Sequence, residues 1–271
     1  MIGTPPHSIV HPTDFSSASL DAFAHALRIA VAARSLLHIL HVEGGERDPD
    51  MDRFPRVREM LAQWRMIDAD ATRAAVAEGL GVKVVKATIE SKSPVRGISA
   101  YAERHACDLL ALMTHSRRGL QRWLEGSVAE VAARATRAPT LFLREGQKGF
   151  VNRETGAVSL DVVLMPVDAS VSPLAAFRRI ADIAHAIEPS VKIQLLHVGA
   201  ELPIFEGLLP HVELREGPVV ETILSYAQEI GADLIAMPTS GRHGLLDALR
   251  GSTTEQALHD SPCPVLAVPA K

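Results

Sequence analysis

The chain has 271 residues, which at about 150 residues per domain is enough for two domains and excludes a lone small module. Its composition, with 47% hydrophobic and 22% charged residues, is that of a globular protein and excludes a disordered or collagen-like chain. The formal net charge of −4 provides no basic field for a phosphodiester backbone, so nucleic acid is not an expected partner.

Hydrophobic periodicity predicts a first domain, residues 1–147, in which short strands alternate with helices. This alternation is typical of a parallel sheet covered by helices. The predicted strands are 8–11, 35–42, 82–88, 109–113 and 140–143. The predicted helices are 17–33, about 54–78, 94–105 and 127–135.

Residues 148–158 contain Gly149, Asn152 and Gly156 and have no periodic pattern, which predicts a linker. A second domain is predicted over residues 159–271, again with alternating strands and helices. Its predicted strands are 161–165, 192–197, 211–214, 234–237 and 265–268. Its predicted helices are 173–186, 219–230 and 252–259.

The second domain repeats the first. Residues 107–143 align without gaps on residues 232–268, with 14 of 37 positions identical and an offset of 125 residues. His41-Val42 pairs with His197-Val198 at the larger offset of 156, so the second copy lacks 31 residues between His197 and Asp233. The missing residues correspond to the helix of the second crossover.

Residues that end the predicted strands are the first candidates for a site, because parallel sheets bind ligands outside the carboxyl ends of their strands. Asp14 and Asp168 follow the first strand of each copy in Pro-x-Asp-x-Ser sequences. One interpretation is that each carboxylate caps the next helix. The other is that it contacts a ligand, and the two interpretations are compatible.

A polar loop follows the fourth strand of each copy and ends in Gly-Ser before a helix. Ser127 and Ser252 each begin a Ser-x-x-Glu capping box, so a satisfied helix start is one interpretation. The other is an anion site, in which the preceding glycine allows close backbone approach and free N–H groups bind phosphate.

The order of the elements resembles the universal stress protein family in a tandem arrangement. The resemblance is carried by the Pro-x-Asp-x-Ser turns, the His-Val pairs that close the second strands, and the nine residues before Gly-Ser. It covers about residues 8–145 and 161–269. It implies two open, Rossmann-like, parallel five-stranded sheets of strand order 3-2-1-4-5, flanked by helices. It also implies a stress-response regulator that binds ATP or a related adenine nucleotide with little or no turnover.

The resemblance further implies where a nucleotide would bind. The residues placed at the base and ribose are Asp14 or Asp168 and Val42 or Val198. The residues placed at the phosphates are Gly241, Gly251, Ser252 and Thr253 of the second copy, or Ser116, Gly126 and Ser127 of the first. Mg²⁺ would be held through the phosphates.

Both phosphate loops depart from the family pattern of Gly-x-x-Gly, nine residues and Gly-Ser/Thr. Met113 and Ser116 stand at the two glycine positions of the first copy, whereas only Pro238 departs in the second. A proline has no N–H, and the loss of one charge-assisted hydrogen bond, about 1.5–3 kcal/mol, would weaken binding without necessarily abolishing it. The second pocket is therefore favoured, and its missing crossover helix would leave it open.

No catalytic residues and no protein-bound metal are predicted, because the chain has no GxxxxGK[ST] loop, no GxSxG elbow and no metal-ligand spacing. The chain is thus not expected to be an enzyme. The alternative function is a nucleotide-independent module of the same fold that binds an unidentified protein partner.

Cys107 and Cys263 have no CxxC spacing, and the sequence shows neither a signal peptide nor an apolar run of membrane-spanning length. A cytoplasmic protein without membrane contact is therefore expected.

The fifth strands would be exposed sheet edges, so they are predicted to pair with each other within one chain as an intramolecular pseudo-dimer. Whether two chains also form a homodimer is left open.

Overall fold

The computed structural model describes residues 5–44, 51–114, 138–168, 173–204, 210–240 and 260–270. The strands are β1 (Ser8–Pro12), β2 (Leu36–Glu43), β3 (Lys83–Glu90), β4 (Leu109–Thr114), β5 (Thr140–Arg144), β6 (Val162–Pro166), β7 (Lys192–Val198), β8 (Val212–Arg215), β9 (Leu234–Ser240) and β10 (Val265–Ala270). The helices are α1 (Ser19–Ala33), α2 (Val57–Gln63), α3 (Arg73–Leu80), α4 (Pro94–Arg104), α5 (Pro173–Ile187) and α6 (Val219–Glu229), with a 3₁₀ turn at Met51–Arg53.

These strands form one ten-stranded sheet in the order β3-β2-β1-β4-β5-β10-β9-β6-β7-β8. Each copy therefore has the order 3-2-1-4-5, which confirms the predicted fold class. Neighbouring strands within a copy are parallel, whereas β5 and β10 pair antiparallel, with Leu141 opposite Leu266. The predicted intramolecular pairing of the fifth strands is thus confirmed, and the two sheets are continuous.

The central strands are apolar on both sides because helices cover both faces of the sheet. On one face, α1 and α5 pack against each other, and residues such as Phe23 and Ile180 belong to a core that extends across both copies. On the other face, two separate clusters form around Tyr101 of α4 and Tyr226 of α6. The copies are therefore joined by a shared core as well as by strand pairing.

The single helix predicted at about 54–78 is wrong. The segment instead contains the 3₁₀ turn, α2 and α3. Arg65 adopts a left-handed conformation with φ of 58°, which ends the first helical stretch, and the Thr72 side chain accepts the Ala75 N–H and caps α3. Leu61, Trp64 and Val76 still face the shared core, so the apolar pattern reflects burial rather than one continuous helix.

Other helix boundaries differ from the predictions by one or two residues, which is the usual uncertainty of helix ends. The predicted helices 127–135 and 252–259 lie outside the described residues. Residues 199–204 and 210–211, between β7 and β8, contain no helix, and residues 205–209 lie outside the described part. Nor does the described part of the chain contain a helix long and apolar enough to cross a membrane.

The predicted linker 148–158 forms a docked turn. Val151 and Val158 pair as an antiparallel bridge, and Phe150 is buried in the shared core. The Trp64 indole donates a hydrogen bond of 2.8 Å to the Arg153 carbonyl, and the Val151 N–H donates to Nε2 of His25 at 3.1 Å. The segment is therefore bound to α1 and to the residues after α2. The exact division of the chain at residues 147 and 159 stays a prediction.

Backbone amides of β5 and β10 should exchange slowly with solvent, because these strands lie at the centre of a continuous sheet. We expect β3 and β8, at the two ends of the sheet, to exchange first. Hydrogen–deuterium exchange read by mass spectrometry checks this order. Exchange in β5 and β10 as fast as in β3 would contradict the continuous sheet.

Candidate functional site

The candidate site lies at the carboxyl ends of the strands, at the points where the order of strands reverses. β1 pairs with both β2 and β4, and β6 pairs in the same way with β7 and β9. The chain leaves β1 and β6 towards one side of the sheet and later returns to the strand on their other side, and this reversal opens a crevice at the carboxyl edge. The chain thus has two equivalent crevices, one in each copy.

In the first copy, β2 holds the turn that follows β1. The Thr13 N–H donates to the Leu40 carbonyl at 2.8 Å, and Nδ1 of His41 lies 2.8 Å from the Thr13 carbonyl. A carbonyl can only accept, so the His41 imidazole carries its hydrogen on Nδ1. Both backbone polar groups of the residue before Asp14 are therefore bonded to the end of β2.

The second copy has the same arrangement. The Val167 N–H donates to the Leu196 carbonyl at 2.8 Å, and His197 Nδ1–H donates to the Val167 carbonyl at 2.8 Å. Asp168 is the next residue and is exposed. We call this pair of hydrogen bonds, to the N–H and the carbonyl of the residue before each aspartate, the backbone clamp.

Asp14 is exposed and does not cap α1. Its Oδ1 accepts the Ser16 N–H at 2.9 Å, whereas α1 begins only at Ser19 and has Ala18 at its N-cap without a side-chain bond. The capping interpretation is thus wrong for Asp14, because the chain makes a short Asx turn before the helix begins. For Asp168 that interpretation stays a prediction, since residues 169–172 lie outside the described residues.

Val198 ends β7 as predicted, whereas Val42 is the last residue but one of β2, which runs on to Glu43. Both valines lie half-buried on the sheet face opposite to His41 and His197. Helix α4 approaches Val42 closely at Gly97, where an added Cβ would lie 2.9 Å from a Val42 methyl group. The strand-end aspartates and valines are therefore brought to the same edge of the sheet in each copy.

The predicted phosphate residues fall outside the described residues in both copies. They are Ser116, Gly126 and Ser127 of the first loop, and Gly241, Gly251, Ser252 and Thr253 of the second. The two departures that are described, Met113 and Pro238, lie on β4 and β9, and Pro238 is half-buried in register with Val268. Both loops thus leave the sheet from the strands that line the crevices.

A buried polar network lies beneath the turn of the first copy. His11 Nδ1 is 3.1 Å from the Ala111 carbonyl, its Nε2 is 3.4 Å from Ser19 Oγ, and that hydroxyl is 2.9 Å from Thr13 Oγ1. Burial lowers the pKa of His11 to about 4, and the hydrogen bond to Ala111 and the charge of Asp14 only partly oppose it. His11 is therefore neutral at pH 7.

The second copy has Met165 and Val167 where the first has His11 and Thr13, so this network is not repeated.

The first copy also has an aromatic cluster at its strand ends that the sequence did not reveal. The Phe15 ring lies 4.1 Å from His41 and 5.1 Å from Phe54, and the Arg53 guanidinium lies 4.5 Å above it. Phe54 and Arg53 come from the segment that the second copy lacks.

The two cysteines do not offer an activated nucleophile. Both are free thiols, and burial raises the pKa of Cys107 and of Cys263 to about 12. The described residues contain no group of three or more His, Cys, Asp or Glu side chains arranged to hold a metal ion. The carboxylates of Asp14 and Asp168, which are exposed at the described edge, are suited to binding rather than to nucleophilic attack.

Sequence comparison finds matches in both copies. The model of the universal stress protein family matches residues 6–144 and 199–269. A universal stress protein of Methanocaldococcus jannaschii is 31% identical over 143 residues, covering 52% of this chain and 83% of that protein. Universal stress protein A homolog 2 of Coxiella burnetii is 33% identical over 90 residues, covering 33% of this chain and 59% of that protein.

Solved structures share the fold over nearly the whole chain. A universal stress protein from Archaeoglobus fulgidus superposes with a TM-score of 0.65 at 21% identity, covering 97% of this chain and 96% of that one. The cytoplasmic domain of a prokaryotic cation chloride cotransporter has a TM-score of 0.53 at 11% identity, covering 96% and 94%. At these identities the likeness shows the fold alone.

Proposed function

This chain belongs to the universal stress protein family, and from that membership we propose that it binds ATP or a related adenine nucleotide as a stress-response regulator. The observation that carries the proposal is the backbone clamp. It sets Asp14 and Asp168 at the carboxyl edge, beside Val42 and Val198, in both copies. These are the residues that the family resemblance places at the base and ribose.

The second crevice is the better candidate. Its phosphate loop departs from the family pattern only at Pro238, whereas the first departs at Met113 and Ser116. In the first copy, Phe54 and Arg53 also pack against Phe15, the residue after Asp14, and the second copy has no counterpart to that segment. We therefore propose one nucleotide per chain, with Mg²⁺ held through its phosphates.

Little or no turnover is part of the proposal. The imidazoles at the two strand ends use Nδ1 to bond the backbone, and His11 is buried and neutral beneath the first turn. None of these three imidazoles is placed as a general base for water at a phosphate, because His41 and His197 lie on the sheet face opposite to Val42 and Val198 and His11 is buried. A kcat for ATP cleavage well above about 1 s⁻¹, within the ordinary range of enzymes, would contradict this part.

Calorimetric titration of nucleotide-stripped protein with MgATP should give saturable binding at about one equivalent per chain. Gly251→Trp should abolish it, because a bulky side chain blocks backbone approach at the second phosphate loop. Gly126→Trp, the matched change in the first copy, should leave it intact. Absence of heat and of a thermal shift up to millimolar ATP would overturn the proposal in favour of a nucleotide-independent interaction module.

A further inference from the structure

We infer that His197 is a positioning residue for the second crevice, and this inference rests on the proposed function. Its Nδ1–H donates to the Val167 carbonyl while the Val167 N–H donates to Leu196. The residue before Asp168 is thus bonded on both sides to the end of β7. With its N–H and carbonyl both fixed, little rotation is left in the backbone that leads into the aspartate.

The backbone clamp is kept where the neighbouring side chains are not. The residue it holds is Thr13 in one copy and Val167 in the other, yet both hydrogen bonds are present in each copy with lengths of 2.8 Å. By contrast, the buried His11 beneath the first turn is replaced by Met165. The arrangement therefore depends on the histidine and on main-chain groups, not on the side chain between them.

The imidazole of His197 is also enclosed from the side of its other nitrogen. The chain turns over the ring at Gly199, where an added Cβ would lie 2.7 Å from Nε2. The Gly199 N–H donates to the Arg215 carbonyl at 2.9 Å, which ties this turn to β8. The ring thus lies between the turn that presents Asp168 and the chain leaving β7, and it positions Asp168 through the backbone that it holds.

The two copies provide a matched pair of variants. His197→Phe removes the donor and keeps an aromatic ring, and His41→Phe removes the equivalent bond in the first copy. Both should lower the melting temperature by similar amounts, since each loses one hydrogen bond between strand ends. Only His197→Phe should weaken MgATP binding, by about tenfold or more, while His41→Phe should keep it within about twofold.

Restoring the donor separates positioning from folding. The side-chain amide of asparagine can place an N–H near the position of Nδ1, so His197→Asn should recover most of the affinity that His197→Phe loses. Calorimetry measures the affinities, and thermal melts without nucleotide measure stability.

Three results would overturn the inference while leaving the proposed function intact. With a wild type that binds MgATP, unchanged affinity in His197→Phe would overturn it alone, as would equal weakening by His41→Phe. Failure of His197→Asn to restore binding would do so as well. A wild type that does not bind MgATP would overturn the proposed function and this inference together.

Discussion

Alanine in place of Gly149 should lower the free energy of unfolding by about 2–3 kcal/mol, because it overpacks a rigid part of the core. A Cβ at this position would overlap the Cε1 and Nε2 atoms of the His25 ring. The ring cannot move aside at low cost, since its Nδ1 donates to the Asp21 carbonyl at 2.7 Å and its Nε2 accepts the Val151 N–H at 3.1 Å. Urea denaturation measures the loss.

Gly79→Ala is the matched control. Gly79 lies within α3, and nothing stands within 4 Å of the Cβ that alanine would add. The same substitution should therefore raise stability there, by about 0.5–1 kcal/mol. In a His25→Ala background, where the ring is absent, Gly149→Ala should cost little. An equal cost with and without the ring would show that the close approach to His25 is not the cause.

Acid should destabilise the protein between pH 6.5 and 4 through two buried histidines. Burial lowers the pKa of both His11 and His25 to about 4, whereas an unfolded chain titrates near 6.5. Between these values the unfolded state binds more protons, so stability is complete above pH 6.5 and falls as the pH is lowered. Each group contributes up to about 1.4 kcal/mol per pH unit in this window.

His11→Met measures how much His11 contributes to the pH dependence of stability. Methionine is chosen because the second copy has it at the equivalent position, Met165. Measured by urea denaturation from pH 7 to pH 4.5, the free energy of unfolding should fall less steeply in this variant than in the wild type, by up to about 1.4 kcal/mol per pH unit, which is the contribution of one histidine. Carboxylates that titrate in the same range cancel in the comparison. An unchanged pH dependence would contradict a buried, neutral His11.

Much of the fold could be predicted from the sequence. Strands such as β1 and β4 are short apolar runs, and the internal repeat shows that both copies share one strand order. The fifth strand of each copy, β5 or β10, would be an exposed edge by itself, so the two are predicted to pair with each other. They do pair in the structure. The helix predicted at about 54–78 failed because burial of Leu61, Trp64 and Val76 on one core imitates a single amphipathic helix.

Part of the candidate site could also be predicted. The turn at Asp14, Val42 near the end of β2 and their counterparts in the second copy lie at the expected edge. Two features were missed: the aromatic cluster around Phe15 and the clamp made by His41 and His197. The His-Val sequence is part of the family resemblance, but nothing in it indicates that the imidazole bonds the turn after β1.

The duplication, the alternation of strands and helices, and the strand-end aspartates and valines can be read from the sequence alone, because they depend on periodicity and short-range spacing. Which distant groups meet depends instead on the tertiary structure. His41 reaches a carbonyl 28 positions away, and His25 accepts a hydrogen bond from a residue 126 positions away. Such contacts follow from the packing of whole elements, and no local pattern records which donor will face which acceptor once the core is formed.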